Sequence, residues 1–119
     1  MQGLRAAVMG LALVAAVGGC AATMAPDRPR LVGGLVRFTY QASSAKTVSV
    51  VGAFNGWAKG ATPMTNAGGA GVWVVEVPLR PGEYPFMYLV DGTQWVVPPL
   101  AEDFVTDGFG HTNGVVIVR

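Results

Sequence analysis

The 119-residue chain is short of charge, cysteine and histidine. Charged residues make up only 13%, and 8 Lys and Arg stand against 7 Asp and Glu, a formal net charge of +1. A protein that binds by neutralising phosphates needs a basic excess, so nucleic acid is excluded as a partner. The single cysteine, Cys20, rules out an internal disulfide and a metal site built on thiolates. One histidine and scattered acids supply no metal-ligand set. His111 falls in a loop and is expected to have no role. Ser43, Ser44 and Ser49 lie far in sequence from it, so no nucleophile–base pair is apparent. Glu102 and Asp103 are adjacent and would point apart in an extended segment, not flank a cleft. Neither an enzyme nor a cofactor is expected. Helix-period stretches are also missing after Cys20.

What is present is apolar and turn-rich. Hydrophobic residues reach 51%, too many for a disordered polar chain. The 17 Gly and 8 Pro suit a β domain with many turns better than a helix bundle. Part of the apolar content belongs to the N-terminus. Arg5 precedes the run Ala6 to Val17, which has signal-peptide length and is short for a spanning helix. The run ends Val17-Gly18-Gly19-Cys20, which resembles a bacterial lipobox with Val17 where Leu is commonest. The expectation is a signal peptide over residues 1–19, lipid on Cys20, and a tether over residues 20–32. The resemblance, with Ala21 after the cysteine, implies a lipid-anchored envelope protein in the outer membrane, facing the periplasm. An ordinary secretory signal with an incidental thiol is the alternative, as is a first strand starting near Leu31.

Residues 33–119 carry repeated strand signals. Val36, Phe38 and Tyr40 alternate with Arg37 and Thr39. Val48 and Val50 share a face, as do Trp73, Val75, Val77 and Leu79. Tyr84, Phe86, Tyr88 and Val90 also share one, with Pro85 on the other, which predicts an unpaired start to that strand. Gln94 to Val97 follows the hairpin signal Asp91-Gly92, and Val115 to Val118 closes the chain. Breakers lie between these runs at Asn55-Gly56, Asn66 to Gly71, Pro81-Gly82, Asp107-Gly108 and Asn113-Gly114. This pattern predicts an all-β sandwich of two packed sheets with one core.

The segment Val50-Val51-Gly52-Ala53-Phe54-Asn55-Gly56-Trp57 resembles the V-x-G-x-F-N-x-W signature of the glycogen-binding carbohydrate-binding modules. These occur in the β subunits of AMP-activated protein kinase and in the early-set domains of isoamylases and branching enzymes. Pro63-Met64, Trp73, Leu79-Arg80-Pro81-Gly82-Glu83-Tyr84, Phe86 to Gly92 with Trp95, and Phe109 to Val116 resemble the rest of the pattern in order. The resemblance covers roughly residues 34 to 119. It implies an immunoglobulin-like early-set sandwich that binds α-1,4-linked glucan on an open face. By position it implies that Trp57 and Trp95 stack on sugar rings, that Phe109 slots against the glucan, and that Asn113 bonds sugar hydroxyls.

There are departures. Met87 stands where the family often has Lys, which removes a charged donor, and Pro98-Pro99 stands where D-P is usual. Met87 should lie on the outer face beside the sugar site. Alternatives stay open for each residue: Trp57 as a plug at the end of the sandwich, Trp95 as rim packing, Asn113 as a turn residue. Trp73, in register with Val75 and Val77, is expected in the core. A protein-docking or spacer domain in the envelope is the rival reading, since exposed aromatics also anchor protein interfaces.

Overall fold

The structure, a computed structural model, describes residues 24–119. The expected signal peptide and Cys20 lie outside the described residues. Among the described residues nine strands form two antiparallel sheets. The first sheet contains β1 (Arg30–Val32), β2 (Leu35–Gln41), β5 (Val72–Val77) and β4 (Thr65–Ala67), in the order β1-β2-β5-β4. The second contains β3 (Val48–Gly52), β6 (Gly82–Val90), β9 (Thr112–Val118) and β8 (Asp103–Thr106), in the order β3-β6-β9-β8. β7 (Gln94–Val96) also pairs with β6. The architecture is an immunoglobulin-like sandwich.

The alternation seen in the sequence is the pleat of the central strands. Val36, Phe38, Val48, Val50, Phe86, Tyr88, Val116 and Val118 are all buried in one cluster. Aromatic rings link the sheets. Phe38 lies 5.2 Å from Phe86 edge-to-face, Phe86 5.5 Å from Tyr88, and Tyr88 stacks on Tyr40 at 4.7 Å. These are preferred quadrupole geometries. The Tyr88 hydroxyl donates to the Thr39 carbonyl at 3.2 Å. Burial pushes its pKa far up, so it stays a donor. Trp73 is 7% exposed within the same cluster, and its indole N–H donates to the Ala42 carbonyl at 3.0 Å.

Three elements differ from the expectation. The start of β6 is paired, not free: Gly82 to Phe86 run against Val118 to Gly114 of β9. Pro85 is tolerated because its carbonyl faces Gly52, at the last rung of β3, so its missing N–H is not on the β9 side. Asn113-Gly114 is not a turn but the second and third residues of β9. Gly114 is needed there for close approach: a Cβ would meet Pro98 Cγ at 2.8 Å and Ala101 Cβ at 2.9 Å. Asn66 and Ala67, read as breaker and loop, belong to β4.

The stretch read as tether is partly folded. Arg30 to Val32 pair with Arg37 to Leu35. The Asp27 N–H donates to Thr39 Oγ1 at 2.8 Å, and the Thr39 hydroxyl donates back to the Asp27 carbonyl at 3.1 Å. Thr39 has the outward parity of Arg37 but is buried for this reason. Met24 to Asp27 therefore cross the outer face of the first sheet, beside Arg37 and Thr39.

Candidate carbohydrate-binding face

The outer face of the second sheet follows from the register. In β6 the even residues point to the core, so Pro85, Met87 and Leu89 point out. Val51 of β3 lies opposite Met87, Trp95 of β7 lies opposite Leu89, and Val115 of β9 lies opposite Pro85. Asn113, two residues before Val115, shares that face. β9 pairs with the first half of β6 and β7 with the second half. Asn113 and Trp95 therefore follow one another along the same edge of β6. The structure thus brings Met87, Trp95 and Asn113 to one surface. Met87 has the outward position expected of it and is half-buried.

Trp57 stands on the loop that follows β3. After β3 the chain makes a short 3-10 helix, Ala53–Asn55, and turns at Gly56. The loop is locked from inside by Asn55. Its side-chain oxygen accepts the Gly52 N–H at 3.0 Å. Its amide group donates to the Val50 carbonyl and to Thr62 Oγ1, each at 3.0 Å. Trp57 itself has φ 58 and donates its N–H to the Gly52 carbonyl at 2.9 Å. A left-handed backbone is costly for a residue with a Cβ, and such positions concentrate where a side chain must be aimed. The indole is 40% exposed, so Trp57 is not an end plug.

Trp95 is 42% exposed. The loop bearing Trp57 meets it through Lys59, whose Nζ stands 5.7 Å from the Trp95 ring centroid. Val51 and Leu89 are buried although they point outward, so part of this face is covered. Asn55, which holds the loop, and Lys59, which stands over Trp95, are residues that sequence reasoning left aside. Asn55 was legible only as a turn residue, and the partner of Lys59 lies in a different hairpin.

Phe109 tops the β8–β9 hairpin and is 88% exposed. The Asp107 carboxylate fixes this turn, accepting the N–H groups of Phe109 at 2.7 Å and His111 at 2.9 Å. These bonds hold the Asp107 pKa below its ordinary value. His111 Nδ1 lies 3.4 Å from the same carboxylate. A separate concavity of about 310 Å³ lies between Tyr40, Tyr88, Pro26 and the Pro98–Ala101 segment, and neither exposed tryptophan lines it. Among the described residues no cluster of three His, Cys, Asp or Glu side chains comes together. No helix among them is long and apolar enough to cross a membrane.

The sandwich thus carries two half-exposed tryptophans, Trp57 and Trp95, and a lysine of the Trp57 loop over the Trp95 ring. The family described as the glycogen recognition site of AMP-activated protein kinase matches residues 35–119, and the chain belongs to it. The chain is also similar to 1,4-alpha-glucan branching enzymes. It is 44% identical over 64 residues to that of Pseudomonas syringae pv. tomato, covering 53% of this chain and 8% of the enzyme. It is 36% identical over 69 residues to that of Mycobacterium ulcerans, covering 58% and 9%. It is 41% identical over 68 residues to that of Rhizobium johnstonii, covering 56% and 9%. The chain thus spans less than a tenth of the length of these relatives.

Proposed function

We propose that this chain is a non-catalytic module that holds α-1,4-linked glucan on the outer face of the second sheet. The observation that carries the reading is the pair of half-exposed tryptophans, Trp57 and Trp95, with Lys59 of the Trp57 loop standing over the Trp95 ring. Flat indole faces suit the apolar C–H face of a pyranose and lose little entropy on binding. Asn113, on the same face, offers donors and an acceptor to a hydroxyl pair. Phe109 stands at the tip of the neighbouring hairpin, against the side of the glucan. Glucan as the ligand is supported by the family match and by the substrate named for the branching enzymes. The lipobox-like ending at Cys20 supports anchoring by lipid at a bacterial membrane, with the module in the periplasm.

The test is retention of the full chain, purified in detergent, on insoluble starch and on glycogen, with peptidoglycan as control. Retention on α-glucan that is lost in Trp57→Ala and Trp95→Ala supports the reading. A folded chain that passes through overturns it in favour of protein docking. The exposed side chains of Phe104, Val105 and Phe109 around edge strand β8 would then be the surface to probe. Radiolabelled palmitate on wild type but not on Cys20→Ala tests the anchor separately.

A further inference from the structure

The loop that carries Trp57 leaves from β3, on one edge of β6, whereas Trp95 stands on β7, on the other edge. Lys59 belongs to that loop and ends over the Trp95 ring. The ammonium of the Trp57 loop thus stands over an indole carried by a different hairpin. Lys59 forms no ion pair among the described residues: the four present join Arg30, Arg37, His111 and Arg119 to other acids. The electron-rich, uncharged face of the indole is its partner. A cation over an indole face and a pyranose stacked on that face need the same space, within about 6 Å of the ring.

We propose that Lys59 is a displaceable occupant of the sugar-stacking face of Trp95, and that it sets the affinity for uncharged α-glucan by competing for that face. This rests on the reading of Trp95 as a glucan-stacking residue. In the free protein the ammonium stands over the ring at 5.7 Å from its centroid. A glucan that bridges the two indoles must first move it off, and gives up the cation–π attraction in doing so. At an exposed site that attraction corresponds to about two- to fivefold in affinity. The arrangement has a use for the free protein as well. It keeps an exposed indole face from being a bare apolar patch when no sugar is bound.

The competition predicts an order among substitutions. Lys59→Met keeps most of the apolar stem and removes the charge, so it should tighten binding of maltoheptaose about two- to fivefold. Lys59→Ala should do the same. Lys59→Arg places a larger planar cation on the ring and should bind more weakly than wild type. The measurement is calorimetric titration of the full chain in detergent with maltoheptaose, run beside Trp95→Ala. A merely structural role for Lys59 would weaken binding in Met and Ala and spare Arg, which is the opposite order. Met and Ala variants that bind as wild type or more weakly, while Trp95→Ala abolishes binding, overturn the proposal and leave the glucan site standing. A Trp95→Ala variant that binds as well as wild type overturns the site and the proposal together.

Discussion

Gly52 and Pro85 touch backbone to backbone: a Cβ on Gly52 would lie 2.7 Å from the Pro85 carbonyl oxygen. The same Cβ would meet Phe86 Cβ at 2.8 Å and the Phe54 ring at 2.9 Å. Gly52 is extended, with φ −163, so the need is for space and not for an unusual backbone. It is also the residue whose N–H and carbonyl hold Asn55 and Trp57.

Gly52→Ala should therefore cost about 1–3 kcal/mol of stability by overpacking. It should also weaken glucan retention at temperatures where the chain is still folded, because the loop root shifts. Chemical denaturation beside a starch-binding assay checks both. Unchanged binding in a destabilised variant would show that the loop position does not depend on this contact.

Trp57 and Trp95 should separate from Trp73 in their effects. Trp57→Ala and Trp95→Ala should each lose about 2 kcal/mol or more of binding, roughly thirtyfold, with little change in melting temperature. Trp73→Ala should lose about 3–5 kcal/mol of stability, since it empties a core position and orphans the Ala42 carbonyl. Thermal melts and calorimetry on the three variants distinguish a surface platform from a core.

Met87→Lys should tighten binding about tenfold. Position 87 is on the outer face, opposite Val51, in the part of β6 between the stretch that pairs with β9 and the stretch that pairs with β7. A charged donor there could reach sugar hydroxyls. Titration with maltoheptaose reads the change, and an affinity equal to wild type would place the glucan path away from residue 87.

Acid should loosen two turns. The Asp91 carboxylate accepts the N–H groups of Lys46 at 2.7 Å and Thr47 at 3.0 Å, the Thr47 bond being the larger cause of its lowered pKa. Asp107 is lowered in the same way, first by His111 and then by Phe109. In each case the folded pKa lies below the unfolded one. The stabilisation is complete above about pH 5 and is lost as pH falls through the lowered values, because the unfolded chain takes up protons first. Asp91→Asn and Asp107→Asn should flatten stability between about pH 5 and pH 2, read by urea midpoints.

The central strands were legible because one face of each is buried and the other is not. Val36, Phe38, Tyr88 and Val116 sit where the alternation puts them. β4 and β8 carry no such contrast. All four residues of β8 are exposed, so its pairing with β9 leaves no apolar signature. Thr39 reads as a solvent-facing residue and is buried by Asp27, twelve residues earlier in the chain. Asn113-Gly114 has the composition of a turn, but the glycine answers to Pro98 and Ala101, which pack on it from another loop. At the candidate site, the motif around Trp57 and the hairpin around Trp95 could each be read locally. Their meeting through Lys59 is a tertiary fact with no local trace.

The chain enters the described fold at Met24 and lies across the back of the first sheet, tied down where Asp27 meets Thr39. Trp95 looks out from the front of the second. Two stacked sheets stand about 10 Å apart, so the thickness of the sandwich separates the point of entry from the aromatic platform. A polymer held on the second sheet, as proposed, lies on the opposite side of the sandwich from Met24. The domain is built like a hand with the wrist at the back and the palm turned outward.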